Sequence, residues 1–176
     1  EGRYAILKLP SGESRLVQQD RVPQTQITMV WNVPEWGNPD AFDLDIAASV
    51  LSEGKSSRLY KRLVYDEQIA SSVSAFNWEN ELAGMFMIQA SVKPGVDNKV
   101  VEEAINEELA KFLKEGPTQE EVNRAKTNFF AGFIRGIERI GGFGGKSDIL
   151  AQNMVFMGDP EYYRVRLEGM KNVTTE

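Results

Sequence analysis

The segment Gln26-Ile27-Thr28-Met29-Val30-Trp31-Asn32-Val33 places a large apolar side chain at every second position. A repeat of two residues is the period of a β-strand, so this pattern predicts a strand with one strongly buried face. Pro34 follows directly and ends the strand, because proline cannot donate a ladder hydrogen bond. The sequence therefore predicts a β-strand over residues 26–33.

Extended stretches flank this strand on both sides. Residues 69–78 and 83–93 are separated by Glu79-Asn80-Glu81-Leu82, which predicts a hairpin with a four-residue loop. Residues 4–9 and 14–19 lie on either side of the turn pair Ser11-Gly12 and predict an earlier hairpin. Hairpins imply that the sheet is mostly antiparallel.

Helical patterns dominate the remainder of the chain. Asn38 before Pro39 is a candidate N-cap, Asp97 is another, and Thr118 with Glu121 forms a T-x-x-E capping box. Apolar spacing and terminating glycines predict helices over about residues 39–53, 59–64, 98–115, 119–140, 147–156 and 160–170. Strands followed by packed helices predict a single α+β domain, a two-layer sandwich of a mostly antiparallel sheet covered by helices.

Composition narrows the function classes. Asp and Glu number 26 against 20 Lys and Arg, and a net charge of −6 argues against electrostatic binding of nucleic acid. No apolar run approaches the ~18 residues of a membrane span, so none is expected. The chain has no His and no Cys, which removes the commonest zinc ligands and the usual general base. The residues alone therefore predict no catalytic, metal-binding or cofactor-binding group.

Two short motifs resemble parts of a phosphate-binding loop without its context. Gly54-Lys55-Ser56 and Gly145-Lys146-Ser147 match the end of that loop, but Ser49 and Ile140 stand where its first glycine is required. Both also follow predicted helices, whereas the loop follows a strand, so these glycines are interpreted as helix ends. Carboxylates are expected on solvated helix faces or in first turns, at Asp40, Asp43, Asp45, Glu102, Glu103, Glu107, Glu108, Glu120 and Glu121.

The run Gly54-Lys55-Ser56-Ser57-Arg58-Leu59-Tyr60-Lys61-Arg62-Leu63 resembles the G-x-S-S-R-L-Y segment of the pitrilysin-type zinc peptidase family. Three later segments resemble that family in the same order, namely residues 69–75, Gly116-Pro117-Thr118 with Glu120-Glu121, and Gly158-Asp159-Pro160 with Tyr163. The resemblance covers residues 23–174.

This resemblance implies a metallohydrolase-like α+β domain from an enzyme whose two halves close around a peptide. The zinc-bearing domain of the family carries H-x-x-E-H, in which zinc activates water and the glutamate acts as base. This chain has no histidine, so the resemblance implies that residues 1–176 are an accessory, non-zinc domain of a larger chain, with a C-terminal helix and strand still to follow. Zinc would then lie in the parent enzyme's catalytic domain.

The resemblance also implies two positions for an Arg and a Tyr that reach the substrate carbonyl. The Arg would follow Leu63 and the Tyr would follow Ala70, but Val64 and Ser71 occupy these positions. Neither residue can take the role, so no catalytic residue is carried over.

The expected function is a non-catalytic domain of a zinc metalloendopeptidase that helps to form a peptide-enclosing chamber. Its expected partners are a homologous zinc-bearing domain, in the same chain or another, and the peptide substrate. A structural family member without peptidase activity, resembling the core proteins of the respiratory complex, stays open as an alternative. An unrelated acidic interaction domain also stays open, and the expected compartment is the bacterial periplasm or cytoplasm.

Overall fold

The computed structural model describes residues 12–175. Residues 4–9 of the predicted first hairpin lie outside this range. Residues 14–19 form no strand, and Leu16 and Val17 are both exposed. Arg15 instead forms an ion pair with Glu102. The expectation of a strand at 14–19 was therefore wrong, because neighbouring apolar residues with no buried face cannot anchor a strand to the sheet.

The sheet has three antiparallel strands in the order β1-β3-β2: β1 (Gln26–Val33), β2 (Ala70–Trp78) and β3 (Gly84–Val92). Met29 pairs with Ile88, which pairs in turn with Ala75. The pairing of β2 shifts by one residue at Ser71, a β-bulge. The predicted strand at 26–33 and the predicted second hairpin are both confirmed, with β1 at the edge of the described sheet and β3 at its centre.

Helices make up the rest of the described fold: α1 (Asp40–Ser52), a π-helix (Tyr60–Asp66), α2 (Asn98–Glu115), α3 (Gln119–Ile137), α4 (Lys146–Met157) and α5 (Tyr163–Asn172). Asp97 accepts a hydrogen bond from Lys99 N at 3.0 Å, and Thr118 and Glu121 form the reciprocal capping box. Among residues 12–175, no helix is long and apolar enough to cross a membrane.

The main core lies between one face of the sheet and the helices. Ile88, Ala90 and Val92 of β3 pack with α1, the π-helix and α2 through side chains that include Ala48, Leu51, Leu59, Leu63, Val101, Ala104 and Ile105. Trp31 pairs with Phe86 on this face but is 41% exposed, because β1 is at the edge of the described sheet. Ile27, Met29 and Val33 are only partly buried, so the prediction of a strongly buried face was wrong for this edge strand.

Helix α1 is buried on a second side as well. Its residues Ile46 and Val50 pack with Val122 and Ala125 of α3 and with Met170 of α5. The sheet, α1 and the pair α3–α5 are thus stacked in sequence, and this stacking brings α1 and α5 together at the end of β2.

The opposite face of the sheet carries an apolar strip. The strand register aligns Val30 with Met87 and Met87 with Phe76, and the rings of Phe76 and Trp78 lie 6.5 Å apart. Val30 and Trp78 are 48% and 53% exposed. We call these four residues the open strip.

The free edge of β2 is closed by helix α1. Ala75 N donates a hydrogen bond of 2.6 Å to the hydroxyl of Ser52, and this hydroxyl lies 3.2 Å from Ala75 O. One side chain therefore occupies both backbone groups that a further strand would need at this position.

Candidate functional site

The S-S-R-L-Y segment, residues 56–60, has a structural role in this fold. Ser57 is fully buried, and its hydroxyl donates a 2.7 Å hydrogen bond to Gly54 O. Leu59 and Leu63 are also fully buried and belong to the main core. Gly54 has φ +82°, a backbone conformation that glycine adopts without strain. These residues position the chain and leave no free reactive group.

Arg58 joins this segment to the third segment of the family resemblance, which runs from Gly116 to Glu121. Its Nε and Nη2 donate to the two carboxylate oxygens of Glu121 at 2.8 and 2.7 Å, and Nη2 also donates to Gly116 O at 3.0 Å. The guanidinium lies 5.2 Å from the ring centre of Phe112. Hydrogen bonds from Arg58, with those from Thr118, lower the pKa of Glu121 to about 2.

Val64 and Ser71, at the positions where the resemblance implies Arg and Tyr, lie in different environments. Val64 is half-buried against the main core. Ser71 is exposed at the bulge of β2, and its hydroxyl donates to Gln24 Oε1 at 2.8 Å. Neither side chain carries a charge with which to stabilise an oxyanion.

The glycine-rich loop before α4 is hydrogen-bonded to the carboxylate of Asp148 in the first turn of that helix. Gly144 N donates a 2.7 Å hydrogen bond to a carboxylate oxygen of Asp148. Gly145 is the N-cap of α4, as expected for a glycine at a helix boundary. The position that a bound phosphate would take is thus occupied by an internal carboxylate.

The acidic residues of the helices are less uniform than the sequence suggests. Within residues 12–175, no group of three or more His, Cys, Asp or Glu side chains is arranged to hold a metal ion. Glu108, expected on a solvated face, is 8% exposed and lies 4.0 Å from Arg62. Glu121 is held by Arg58, and Asp45 faces a groove. The position of a charged residue along a helix predicts which residues of the same helix lie near it. It does not predict partners from other parts of the fold, such as Arg58 and Arg62.

That groove is a wide concave surface among the described residues. It has a volume of about 720 Å³ and is bounded by α1, the end of β2, and helices α3, α4 and α5. Its polar wall is a cluster of three charged groups. Arg166 Nη2 lies 3.3 Å from Asp45 Oδ2, and Arg166 Nη1 lies 3.6 Å from Glu79 Oε2. The same guanidinium lies 4.6 Å from the ring centre of Trp36.

Burial makes this cluster electrostatically unusual. The side chain of Glu79 is 5% exposed and that of Asp45 is 22% exposed. Desolvation raises the pKa of both carboxyl groups, although Arg166 acts in the opposite direction. The single guanidinium of Arg166 therefore offsets only part of the cost of burying the two carboxylates.

Asn77 completes the wall. Its amide nitrogen lies 3.3 Å from Asp45 Oδ1, 3.4 Å from Glu79 Oε1 and 3.5 Å from Ala41 O. Its Oδ1 is buried and has no hydrogen-bond partner among the described residues. The acceptors around the nitrogen fix the orientation of the amide, because a flipped amide would place its oxygen against two carboxylates.

Sequence reasoning missed this site. The sequence places Asp45 in the first turns of a helix, where its charge favours the helix dipole, and it singles out neither Arg166 nor Glu79 nor Asn77. Arg166 and Asp45 are 121 residues apart, so no local spacing connects them.

Comparisons with known proteins agree with this fold. The family model described as "Peptidase M16 inactive domain" matches residues 3–129. The zinc protease PqqE of Helicobacter pylori is 29% identical over 162 residues, which are 92% of this chain and 36% of the relative. The chain thus spans about a third of that relative's length.

Two solved structures have similar folds. A protease from Helicobacter pylori matches with a TM-score of 0.79 and 25% identity, over 90% of this chain and 38% of that chain. The inactive peptidase domain of a Bordetella parapertussis protein matches with a TM-score of 0.75 and 23% identity, over 90% of this chain and 83% of that chain. The predicted α+β fold and the pitrilysin-type resemblance are both confirmed: the chain belongs to the peptidase M16 inactive domain family.

Proposed function

We propose that this chain is the non-catalytic partner of a zinc-bearing M16 domain and forms one wall of the chamber in which that domain cleaves peptides. The match to the inactive-domain model carries this proposal. Val64 and Ser71 support it, since a packed valine and an exposed serine stand where the resemblance places substrate-contacting Arg and Tyr.

A domain of this kind needs a surface for its partner. The open strip, Val30, Met87, Phe76 and Trp78, supplies adjacent apolar side chains on neighbouring strands, and two of them are about half exposed. The accessible apolar surface comes mainly from Val30 and Trp78, because Met87 between them is only 8% exposed. Exposed apolar surface on a sheet face is typical of interaction sites. We propose that the zinc-bearing domain, in the same chain or in a second one, packs on this face.

The same proposal implies a domain organisation for the larger protein. Residues 1–176 would be one accessory domain of a bacterial protease whose zinc lies in its other domain and whose location is the periplasm or the cytoplasm. A structural role without proteolysis is the alternative, in which the domain binds the same partner but contributes to no cleavage.

The test is reconstitution with an H-x-x-E-H-containing M16 domain from the same organism. We expect this chain alone to hold less than about 0.1 zinc per chain and to cleave no quenched-fluorescence peptide, because it lacks histidine and cysteine. The pair should form a complex and cleave at least about tenfold faster than the zinc-bearing domain alone.

Surface variants locate the contact. Trp78→Ser should weaken the complex by about tenfold or more, whereas Leu113→Ser, at an 82% exposed position on α2, should leave it unchanged. A complex that forms without faster cleavage would favour the structural alternative. Failure of the two domains to associate would overturn the proposal.

A further inference from the structure

We propose that the groove between α1, β2, α3, α4 and α5 binds the positively charged side chain of a peptide, with arginine as the preferred residue. The inference rests on the proposed function for the peptide nature of the ligand. The preference for an arginine side chain is argued from the charge of the groove, its fixed hydrogen-bond acceptors and its volume.

The first support is the charge of the lining. Three carboxylates line the groove, those of Asp45, Glu53 and Glu79, and Arg166 is its one lining cation among the described residues. Glu53 is exposed, which places an accessible negative charge beside the two more buried ones. A concave surface with an excess of one sign of charge concentrates ligands of the opposite sign.

Arg166 cannot neutralise this excess. It is shared between Asp45 and Glu79 at 3.3 and 3.6 Å, both longer than the 2.7–2.9 Å of a strong charge-assisted hydrogen bond. Its position against the ring of Trp36 also fixes the guanidinium at one side of the cluster. Glu79 is only 5% exposed, so a second cation in the groove would meet the partly accessible Asp45 and the exposed Glu53, with Arg166 left in place.

The second support is Asn77. Its buried Oδ1 accepts no hydrogen bond in the described structure, although buried polar atoms are nearly always paired. Any partner of this oxygen would be a donor, because the amide orientation is fixed by the acceptors around its nitrogen. A guanidinium offers five N–H donors in a plane, which suits an acceptor beside carboxylates better than the compact ammonium of lysine does.

The third support is the space and the remaining wall. A volume of about 720 Å³ falls within the ~300–1,000 Å³ of ligand pockets and leaves room for peptide backbone around one long side chain. Phe133 and Tyr163 stack with ring centres 6.1 Å apart on the side formed by α3 and α5. Aromatic faces beside an acidic wall suit the apolar stem and the planar head of arginine.

The experiment compares two peptides of nearly the same shape, one cationic and one neutral with fewer N–H donors. The full chain is titrated with acetyl-Ala-Ala-Arg-Ala-Ala-amide and with the same peptide carrying citrulline, which keeps the shape of arginine but is neutral. The side-chain amide signals of Asn77 and the indole N–H of Trp36 are followed by NMR. We expect the arginine peptide to shift these signals and to bind with a Kd at least about tenfold lower than the citrulline peptide.

Two matched variants separate the groove from general attraction by an acidic protein. Glu53→Gln should raise the Kd of the arginine peptide by about threefold to tenfold, while Glu103→Gln, which removes an exposed charge on α2, should change it by less than about twofold. Equal Kd values for the two peptides, equal effects of the two variants, or shifts that avoid Asn77 and Trp36 would overturn the inference. The measurement uses no zinc-bearing domain, so its outcome is independent of the reconstitution test.

Discussion

Arg58 and Glu121, 63 residues apart, form a two-point ion pair with N–O distances of 2.8 and 2.7 Å. The same glutamate closes the capping box of α3 by accepting from Thr118 N at 2.7 Å. A residue of the S-S-R-L-Y segment is thereby tied to the first turn of a helix that packs on the far side of α1. Two segments that identify the family in sequence are thus one structural unit.

This pair predicts a dependence of stability on pH. The ordinary pKa of Glu121 is 4.5, and in the fold it is about 2, so the fold favours the ionised form. The stabilisation is fully present above pH 4.5 and is lost as the pH falls towards 2. Glu121→Gln should lower the free energy of unfolding by about 1–2 kcal/mol at pH 7. In urea unfolding at a series of pH values, the gap between the two proteins should close between pH 4.5 and 2.

The exposed neighbour Glu120 provides the control for that experiment. Glu120→Gln removes the same charge from the same helical turn and should change the stability by less than about 0.5 kcal/mol. A gap for Glu121→Gln that stays constant with pH would show that the ion pair does not stabilise the fold.

Val64 and Ser71 should respond as packing and surface residues. Val64→Ala removes two methyl groups from a half-buried position against the main core and should cost about 1–2 kcal/mol. Ser71→Ala should cost less than about 0.5 kcal/mol, because its side chain is exposed. Chemical denaturation gives both values. In a reconstituted enzyme, a loss of about 100-fold in kcat for Ser71→Ala would instead reveal a role in the transition state.

Gly84 at the start of β3 should tolerate no side chain. A Cβ there would lie 2.7 Å from Pro34 O and 3.0 Å from Trp78 O, and backbone atoms cannot move aside as a flexible side chain can. Gly84→Ala should therefore destabilise the fold by about 1–3 kcal/mol. Gly132 in α3 has open space around it, so Gly132→Ala should be neutral or stabilise by up to about 1 kcal/mol. Thermal unfolding of both variants tests the contrast, and equal midpoints would contradict it.

Ser52 should protect the free edge of β2. Ser52→Ala leaves Ala75 N–H and C=O without this hydroxyl, at a cost of about 1–2 kcal/mol, and it opens a site where another strand can pair. Ser49→Ala, one turn earlier on α1, removes a hydroxyl that bonds only to Glu53 among the described residues and should have little effect. Light scattering at matched concentrations should show increased self-association for Ser52→Ala alone. Identical behaviour of the two variants would mean that helix packing, and not the hydroxyl, protects the edge.

The sequence predicted best those features that depend on neighbouring residues. The caps at Asp97 and Thr118 need only a side chain and an N–H two or three residues later, and both form as expected. The strand at Gln26–Val33 and the hairpin of β2 and β3 follow from alternation and a short loop. Each of these features depends on residues that are close together in the sequence.

The groove could not be predicted in this way. Asp45, Glu79 and Arg166 lie on three different elements, and only the stacking of α1 against α5 at the end of β2 brings them together. The same limit explains Glu108 and Glu121, whose arginine partners are 46 and 63 positions earlier in the chain. A charged residue whose partner is distant looks solvated when only its own helix is considered.

Helix α1 is buried on two sides, and this couples the unfolding of the two clusters that it joins. Ala48 and Leu51 belong to the cluster beneath the sheet, and Ile46 and Val50 belong to the cluster shared with α3 and α5. Opening either cluster strips α1 of one of its two packing surfaces, so we expect the two clusters to open together. The sheet and the outer helices are therefore coupled in a single cooperative unit, and amide hydrogens in β3 and α3 should exchange with solvent through one shared opening event.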